Sequence, residues 1–256
     1  MNKSSNINLK GECEIVEKDE FINILIEMAH KIGENISENE ANKFYSYMNL
    51  LLEWNKNINL TAITEEKEII IKHFIDSLTI NKYIKEAKNA MDIGTGAGFP
   101  GIPLKIVNEE KKFVLVDSLN KRISFLEEAK RQLELEELEL IHSRVEDLAK
   151  NNSYREKMNV VTSRAVANLR VLVEYMLPFV TKGGVCICMK GPKIEDELIE
   201  SRNAIEILGG EIEKIDNVVL PSDNEKIERN ILIIRKVKET PGKYPRKAGI
   251  PSKQPL

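Results

Sequence analysis

The stretch Asp92–Gly101 reads Asp-Ile-Gly-Thr-Gly-Ala-Gly-Phe-Pro-Gly and directly follows a short apolar run. Gly94, Gly96 and Gly98 allow the backbone to turn tightly and let a ligand approach it without a side chain in the way. Pro100 suits the first turn of a helix, whose free N–H groups would face that ligand. Since ligands of open parallel sheets bind at the carboxyl ends of strands, the stretch predicts a strand, a ligand-binding turn and a helix.

Two kinds of cofactor suit this turn. Gly96, Gly98 and Gly101 have the spacing of a dinucleotide-binding turn. Asp117 follows Gly98 by 19 residues, near the distance expected of a ribose-binding acid. A methyl donor that contains adenosine requires much the same groups. Asp92 favours the methyl donor, because its carboxylate would repel a pyrophosphate and attract an amino-acid ammonium group. We therefore rank S-adenosylmethionine ahead of NAD, and a nicotinamide-dependent oxidoreductase remains the alternative.

Asp117 ends the second predicted strand, where a carboxylate can accept hydrogen bonds from both ribose hydroxyls. The other interpretation is a helix cap, because Asp117, Ser118 and Asn120 belong to a segment rich in capping side chains. Either Ser118 or Asn120 can cap the helix, which would leave Asp117 to the ligand.

Strands and helices alternate from residue 89 onward, a pattern that indicates a parallel sheet with crossover helices. The predicted strands are Ala90–Ile93, Lys112–Asp117, Leu138–His142, Met158–Ser163 and Val185–Lys190. The predicted helices are Asn120–Leu133, Leu169–Val180, which Gly183 and Gly184 would close, and Ile194–Leu208. Glu213–Leu220 and Arg229–Val237 are joined by a short polar loop, so they predict an antiparallel pair at the edge of the sheet.

The first third of the chain predicts helices, since no proline precedes residue 100 and only two glycines precede residue 94. An apolar stripe predicts a helix over Asp19–Ile32. Ser37 and Glu40 form a capping-box pattern that opens a second helix, which we expect to end near Asn55. Glu65–Ile84 predicts a third helix.

Composition and charge restrict the class of protein. Hydrophobic residues make up 42% of the 256 residues, enough for a sizeable core. The formal net charge is −3, but Arg235–Leu256 carries +6, which leaves −9 on the rest. A basic tail on an acidic body predicts contact with a polyanion, although a plain solvated tail fits as well.

No apolar run approaches the roughly 18 residues of a membrane span, and the N-terminus lacks the apolar stretch of a signal peptide, so we expect a cytoplasmic protein.

The three cysteines, Cys13, Cys186 and Cys188, lack the spacing of a disulfide framework. The three histidines are scattered along the chain and add no ligand set to them. We therefore expect no metal site, and we interpret the cysteines as small hydrophobic residues.

Several segments of the chain resemble one known family, the bacterial small-subunit rRNA guanine-N7 methyltransferases, also called RsmG and formerly GidB. The similar segments are Leu52–Ala62, His73–Leu78, Asp92–Leu104, Leu115–Leu126, Ser143–Asp147 (SRVED), Thr162–Ala165 (TSRA) and Pro241–Leu256. The resemblance covers roughly residues 44–256, and residues 1–18 fall outside it.

The resemblance implies an α/β, Rossmann-like S-adenosylmethionine-dependent methyltransferase fold, with a mostly parallel sheet, an antiparallel C-terminal edge and a helical N-terminal region. We accordingly divide the chain into a flexible N-terminus (1–18), a helical N-terminal region (19–87), a methyltransferase domain (88–238) and a basic C-terminal tail (239–256). The implied reaction transfers a methyl group from S-adenosylmethionine to N7 of guanosine 527 in the decoding-site loop of 16S rRNA.

Together with the glycine-rich turn, the resemblance implies a set of cofactor-binding residues. They are Asp92, Gly94, Gly96, Gly98, Phe99, Asp117, Val145, Glu146 and Arg164. The main chain at Val145 and Glu146 would face the adenine. Glu146 can also be interpreted as a helix-capping acid, and Arg164 as a partner in a structural ion pair.

The chemistry of the implied acceptor sets what the protein must supply. Guanine N7 is an exposed acceptor that has a lone pair and carries no proton. Methylation there needs no general base, so we expect no catalytic acid–base residue and no essential histidine, with a positioning role for Arg164. The protein would align the reactants, exclude water and tolerate the positive charge that moves onto the base.

The expected partner is 16S rRNA or the small ribosomal subunit, with no membrane and no metal, and we expect a monomer. The candidate RNA-binding residues are Lys121, Arg122, Lys190, Lys193, Arg229, Lys243, Arg246 and Lys247. Each of them can also be interpreted as ordinary surface charge. A non-catalytic ribosome-assembly factor that binds RNA remains a second alternative, although the intact glycine-rich turn argues against it.

Overall fold

The computed structural model describes residues 17–222 and 225–256, and within these ranges the chain forms one seven-stranded sheet. The strands are β1 (Asn89–Ile93), β2 (Lys112–Asp117), β3 (Leu138–His142), β4 (Met158–Arg164), β5 (Val180–Lys190), β6 (Gly210–Leu220) and β7 (Ile227–Lys236). They lie in the order β3-β2-β1-β4-β5-β7-β6. β1 to β5 pair in parallel, whereas β7 is antiparallel to both of its neighbours. The predicted α/β fold with an antiparallel C-terminal edge is confirmed.

The helices of the described ranges lie before the sheet, between its strands and, in one case, after the last strand. They are α1 (Lys18–Lys31), α2 (Glu38–Ile58), α3 (Glu66–Ile69), α4 (Asp76–Leu78), α5 (Asn81–Lys85), α6 (Gly101–Ile106), α7 (Asn120–Gln132), α8 (Val145–Leu148), α9 (Leu169–Met176), α10 (Glu195–Ile207) and α11 (Ile250–Lys253). The flexible N-terminus that the sequence predicts falls, up to residue 16, outside the described residues.

Both faces of the sheet are covered, as is usual for parallel strands, and the side chains of each strand alternate between two cores. Leu115 of β2 packs in the core that contains α1, α2, α6 and α7. The next residue, Val116, packs in the core that contains α9 and α10. The N-terminal helices therefore share a core with one face of the sheet.

Helix α2 connects the N-terminal region to the glycine-rich turn. Its start is the predicted capping box, in which the Ser37 N–H donates to Glu40 Oε2 over 2.7 Å. Further along this helix, the hydroxyl of Tyr47 donates to the Ala97 carbonyl in the glycine-rich turn. The Tyr47 ring also packs against Phe125 of α7, with 6.2 Å between ring centroids. The helical region thus forms one wall behind the turn.

The segment Glu65–Ile84 is largely helical, as predicted, but the expectation of one continuous helix is wrong. The structure divides this segment into α3, a π-helical turn at Ile70–Ile75, α4 and α5. β-Branched residues fill the junction between α3 and the π-helical turn, where their restricted side chains weaken a regular helix. The wider turn accompanies a contact to the sheet, because the Lys72 carbonyl accepts a hydrogen bond from Arg164 over 3.0 Å.

The prediction that Gly183 and Gly184 close a helix is also wrong. Helix α9 ends at Met176 and passes into a 3-10 turn that contains Pro178, which cannot donate a helical hydrogen bond. Both glycines lie inside β5, where the register with β4 shifts and Gly183 has a φ of +85°. They therefore allow an irregularity within a strand.

Candidate active site

A cavity of about 530 Å³ opens at the carboxyl ends of β1, β2, β3 and β4. Segments that follow these strands form most of its wall, and the N-terminal region, Arg122 of α7 and Tyr175 of α9 contribute the remainder. Of the cofactor-binding residues that the sequence predicts, the structure places Gly94, Gly96, Phe99, Asp117, Val145, Glu146 and Arg164 in the cavity wall. Asp92 and Gly98 lie behind that wall.

Gly94 and Gly98 are positions of the glycine-rich turn that have no room for a side chain. Gly94 has a φ of +65°, and a Cβ atom there would lie 2.6 Å from Val166 Cγ2. Gly98 has a φ of +93°, and a Cβ atom there would lie 2.5 Å from Ile102 Cγ1. The N–H of Gly94 donates to the Val116 carbonyl over 2.9 Å, which attaches the turn to the end of β2. The backbone of the turn is therefore fixed at the cavity surface.

Asp92 holds the two ends of this turn together from below. Its Oδ2 accepts hydrogen bonds from Thr95 Oγ1 over 2.6 Å and from the Gly101 N–H over 3.0 Å. Its Oδ1 is buried and has no hydrogen-bond partner among the described residues. Burial raises the pKa of Asp92 to about 7, because the charged carboxylate is poorly solvated there.

Asp117 presents a carboxylate to the cavity from the end of β2. Its Oδ2 accepts from the Gly96 N–H over 2.9 Å and lies 3.1 Å from Nη1 of Arg122, and its Oδ1 accepts from the Leu119 N–H over 2.9 Å. The expectation that Ser118 or Asn120 caps α7 is wrong, because no side chain of the described residues caps this helix, and the Leu119 N–H from which Asp117 accepts belongs to the residue before its first turn. A carboxylate accepts about four hydrogen bonds, so Asp117 retains capacity for a ligand.

Glu146 joins the cavity to the C-terminal tail. It lies in the first turn of α8 and is 4% exposed. Its Oε1 accepts from the Gly249 N–H over 3.0 Å, so its side chain fixes the tail and does not cap its own helix. The tail is also attached through Arg246, whose guanidinium binds both carboxylate oxygens of the fully buried Glu174. The tail is therefore packed against the domain beside the cavity.

Arg164 enters the cavity from the end of β4, and most of its hydrogen bonds go to the N-terminal region. Its Nη1 lies 3.0 Å from Oδ2 of Asp76 and donates to the Lys72 carbonyl over 3.0 Å. Its Nη2 lies 3.1 Å from Nδ1 of His73. The guanidinium also lies 5.1 Å from the ring centroid of Phe99, a cation–π geometry. Arg164 therefore lines the cavity and also forms the ion pair of the second interpretation, while its role toward the cofactor stays a prediction.

His73 lies flat on Phe99, with 4.4 Å between the ring centroids and an interplanar angle of 14°. Its Nε2 lies 2.8 Å from Oγ1 of Thr61. Burial, and next the neighbouring Arg164 guanidinium, lower the pKa of His73 to about 3. The imidazole is therefore neutral in the folded protein near neutral pH.

Some cavity residues are absent from the predicted set. Among them are Leu60, Thr61 and His73 of the N-terminal region, Ser143 and Arg144 after β3, and Tyr175 of α9. The segments Leu52–Ala62 and His73–Leu78 carried a signal in the family resemblance, but nothing in their own spacing relates them to the turn at Gly94.

The candidate RNA-binding residues divide into two groups in the structure. Lys121, Lys193, Lys243 and Lys247 are exposed. The others are engaged within the protein. Arg122 binds Asp117, Lys190 binds Glu197, Arg229 binds Asp76 and Arg246 binds Glu174. The exposed lysines are the cations of this set that a phosphate can reach without breaking an internal ion pair.

Two further features of the described residues bear on function. No helix in residues 17–222 and 225–256 is both long and apolar enough to cross a membrane. The same ranges contain no group of three or more His, Cys, Asp or Glu residues arranged to hold a metal ion.

Comparison with known proteins gives a consistent result. The family model for GidB, rRNA small subunit methyltransferase G, matches residues 40–229. Ribosomal RNA small subunit methyltransferase G of Clostridium tetani is 48% identical over 238 residues, which cover 92% of this chain and 99% of that protein. The protein of the same name from Clostridium botulinum (strain Loch Maree / Type A3) is 50% identical over 239 residues, covering 93% of this chain and 99% of the relative.

Among solved structures, NSun6 of Pyrococcus horikoshii is similar to this chain with a TM-score of 0.52. At 13% sequence identity, the match covers 64% of this chain and 52% of that one. A transferase from the same organism matches with a TM-score of 0.50, 14% identity and 64% coverage of both chains. At these identities the structural likeness supports the fold alone.

Proposed function

The chain belongs to the rRNA small subunit methyltransferase G family, and from this starting point we propose that it transfers a methyl group from S-adenosylmethionine to guanine N7 in 16S rRNA. The specific target that we propose is guanosine 527 of the decoding-site loop. One observation carries the proposal. A single cavity brings Asp117 and the main chain at Val145 to one side of the glycine-rich turn and Arg164 to the other.

The adenosine of the cofactor is assigned to the β2–β3 end of the cavity. Asp117 would accept hydrogen bonds from the ribose hydroxyls, with Arg122 giving up its place on the carboxylate if both hydroxyls bind. The main chain at Val145 and Glu146 would read the edge of the adenine. A cavity of about 530 Å³ lies within the usual size range of cofactor sites.

The amino-acid part of the cofactor is assigned to the glycine-rich turn. Asp92 lies behind the cavity wall, and its Oδ1, buried and without a partner in the described residues, is an acceptor that an ammonium group at the turn would reach through a water molecule. A nearby cation would also favour the ionised form of Asp92, whose pKa burial raises to about 7. The Asp117 carboxylate in the cavity wall and the Asp92 carboxylate behind it therefore fit a cofactor that combines adenosine with a positively charged amino acid.

The cofactor supplies a methyl group on a sulfonium, which is a good leaving group. Guanine N7 has a lone pair and no proton, so the protein need not hold a general base. His73 agrees with this chemistry, because its Nδ1 faces the Arg164 guanidinium and its pKa is lowered to about 3. What the chain contributes is alignment of the two reactants and exclusion of water from the cavity.

The RNA is assigned to the surface that carries the exposed lysines. Lys243 and Lys247 lie in the tail that Glu146 and Glu174 hold beside the cavity. Lys121 lies in the first turn of α7, next to Arg122 in the cavity wall. Phosphate contacts of this kind position an RNA without reading its sequence. We propose that the enzyme acts in the cytoplasm on 16S rRNA or on the small ribosomal subunit.

The test is transfer of labelled methyl from S-adenosylmethionine to small subunits that lack the modification, followed by digestion of the 16S rRNA to nucleosides. We expect the label in 7-methylguanosine at a single position. Label in another nucleoside would contradict the guanine-N7 assignment. No transfer to either naked 16S rRNA or small subunits would contradict the proposed acceptor.

A further inference from the structure

Thr61 lies where the N-terminal region meets the cavity, in the loop that follows α2. Its side chain contributes to the cavity wall together with Leu60 and His73. The strand order places these residues beside Arg164 at the β4 side of β1, whereas Asp117 and Val145 lie on the β2–β3 side. If adenosine occupies the β2–β3 side, Thr61 lies at the end of the cavity that receives the methyl acceptor.

The hydrogen bonds around His73 fix which of its nitrogens carries the proton. Arg164 Nη2 lies 3.1 Å from His73 Nδ1, and a guanidinium can only donate. His73 Nδ1 must therefore accept. A neutral imidazole then carries its proton on Nε2, which lies 2.8 Å from Thr61 Oγ1 and donates to it.

Thr61 Oγ1 has a second donor. The N–H of Ile63 donates to it over 3.0 Å. A hydroxyl oxygen has two lone pairs, and the donors from His73 and Ile63 occupy both. Toward a ligand the Thr61 hydroxyl can then only donate a hydrogen bond. Its hydrogen is donated to no acceptor among the described residues. Thr61 thus offers the cavity a hydrogen-bond donor that cannot also accept.

Asp76 keeps this arrangement in place. It is 1% exposed and lies within 3.0 Å of both Arg164 and Arg229. Arg164 is held on Asp76 through Nη1, so that its Nη2 stays directed at His73. The direction of the Thr61 hydroxyl is therefore set by a chain of contacts that begins at a buried carboxylate.

We propose that the Thr61 hydroxyl donates a hydrogen bond to O6 of the target guanine and so selects guanine over adenine. Guanine presents N7 and O6 as adjacent acceptors, whereas adenine presents an amino donor where guanine has O6. A hydroxyl that can only donate matches guanine and leaves the adenine amino group without an acceptor. This inference rests on the proposed function, because it assumes that a guanine base enters the cavity.

The experiment compares two acceptors with two enzymes. Small subunits are reconstituted with guanine or with 2-aminopurine, which keeps N7 and lacks O6, at the target nucleotide. Methyl transfer is measured under single-turnover conditions for the wild type and for Thr61→Val. Removing O6 also changes the reactivity of N7, and comparing the guanine-to-2-aminopurine rate ratio between enzymes cancels that effect. We expect the guanine-to-2-aminopurine rate ratio to be about fivefold larger for the wild type than for Thr61→Val, because one neutral hydrogen bond contributes about that factor.

Three further variants control the comparison. Thr61→Ser keeps a hydroxyl, so its rate ratio should match that of the wild type. Thr61→Cys offers only a weak donor and should behave like Thr61→Val; it replaces that variant if Thr61→Val does not fold. Thr64→Val, an exposed change in the same loop, should leave the ratio at the wild-type value.

The outcomes separate this inference from the proposed function. Equal ratios for the wild type, Thr61→Val and Thr61→Cys would overturn the role of Thr61 while guanine-N7 methylation by the wild type still stands. Absence of 7-methylguanosine in the guanine-containing subunits would instead contradict the proposed function. If Thr61→Val weakens S-adenosylhomocysteine binding by the same factor as it slows methyl transfer, the hydroxyl binds the cofactor, and the inference is wrong.

Discussion

Arg164 Nη1 lies 3.0 Å from Asp76 Oδ2, although the two residues belong to different parts of the chain. Asp76 begins α4 in the N-terminal region, and Arg164 ends β4. Their ion pair joins the helical region to the sheet at the cavity wall. The N-terminal region is therefore a part of the candidate active site.

Removing the charge of Asp76 should destabilise the protein and slow methyl transfer. Asp76→Asn leaves Arg164 and Arg229, which are mostly buried, without a counter-charge. Breaking one side of a buried ion pair costs about 3–5 kcal/mol of unfolding free energy. Urea denaturation measures this change. Glu27→Gln removes an exposed carboxylate that pairs with Lys31 and should leave the unfolding midpoint unchanged. If Asp76→Asn unfolds at the same urea concentration as the wild type, the ion pair is not needed for stability.

Removing the Asp117 carboxylate should weaken cofactor binding. Asp117→Ala deletes the acceptor proposed for the ribose, and the loss of a charge-assisted pair of hydrogen bonds should lower S-adenosylhomocysteine affinity by about tenfold or more. Titration calorimetry gives the affinity, and circular dichroism checks folding. Asp147→Ala, an exposed change that breaks only a pair with Lys150, is the matched control. Wild-type affinity in folded Asp117→Ala would exclude the ribose role.

Charge reversal in the tail should weaken RNA binding and spare the cofactor. Lys243→Glu with Lys247→Glu changes two exposed cations, whereas Arg246 is left in place because it holds Glu174. We expect lower affinity for small-subunit RNA and a shallower dependence on salt, since fewer phosphates are neutralised. Filter binding at several salt concentrations measures both. A simultaneous loss of S-adenosylhomocysteine binding would indicate that the tail has a structural role.

Folding stability should depend on pH through His73. Its pKa is about 3 in the folded protein, against about 6.5 when unfolded. Below about pH 6.5 the unfolded chain binds a proton that the folded chain does not, so stability falls as the pH decreases. This group alone should remove about 2 kcal/mol between about pH 7 and pH 5. Urea denaturation of the wild type and of His73→Gln at both pH values isolates the contribution of His73 to the unfolding free energy. The same pH dependence in both proteins would contradict the neutral, buried histidine.

Local sequence patterns predicted most of the sheet. The predicted bounds of Lys112–Asp117 and Leu138–His142 agree with β2 and β3, because apolar runs between turn signals define buried parallel strands. Local patterns did not predict the division of the segment Glu65–Ile84 or the start of β5 at Val180. A π-helical turn and a shift of strand register depend on contacts to distant partners, which local spacing does not specify.

Local patterns likewise predicted only part of the candidate site. The glycine-rich turn directly follows β1 and Asp117 ends β2, so the spacing of the motif was enough to locate both. Thr61 and His73 reach the cavity because α2 packs behind the turn and Arg164 bonds to the π-helical segment. The ion pair between Arg246 and the buried Glu174 likewise depends on where the tail packs. In the sequence, the positive charge of Arg246 does not distinguish this residue from the exposed Lys247.

Calorimetric titration of the protein with S-adenosylhomocysteine and, separately, with NAD tests whether the cavity beside Asp117 binds S-adenosylmethionine. We expect saturable binding of S-adenosylhomocysteine at one site per chain and no heat of binding with NAD. Binding of NAD without binding of S-adenosylhomocysteine would exclude the proposed methyl donor, because the glycine-rich turn would then bind a dinucleotide.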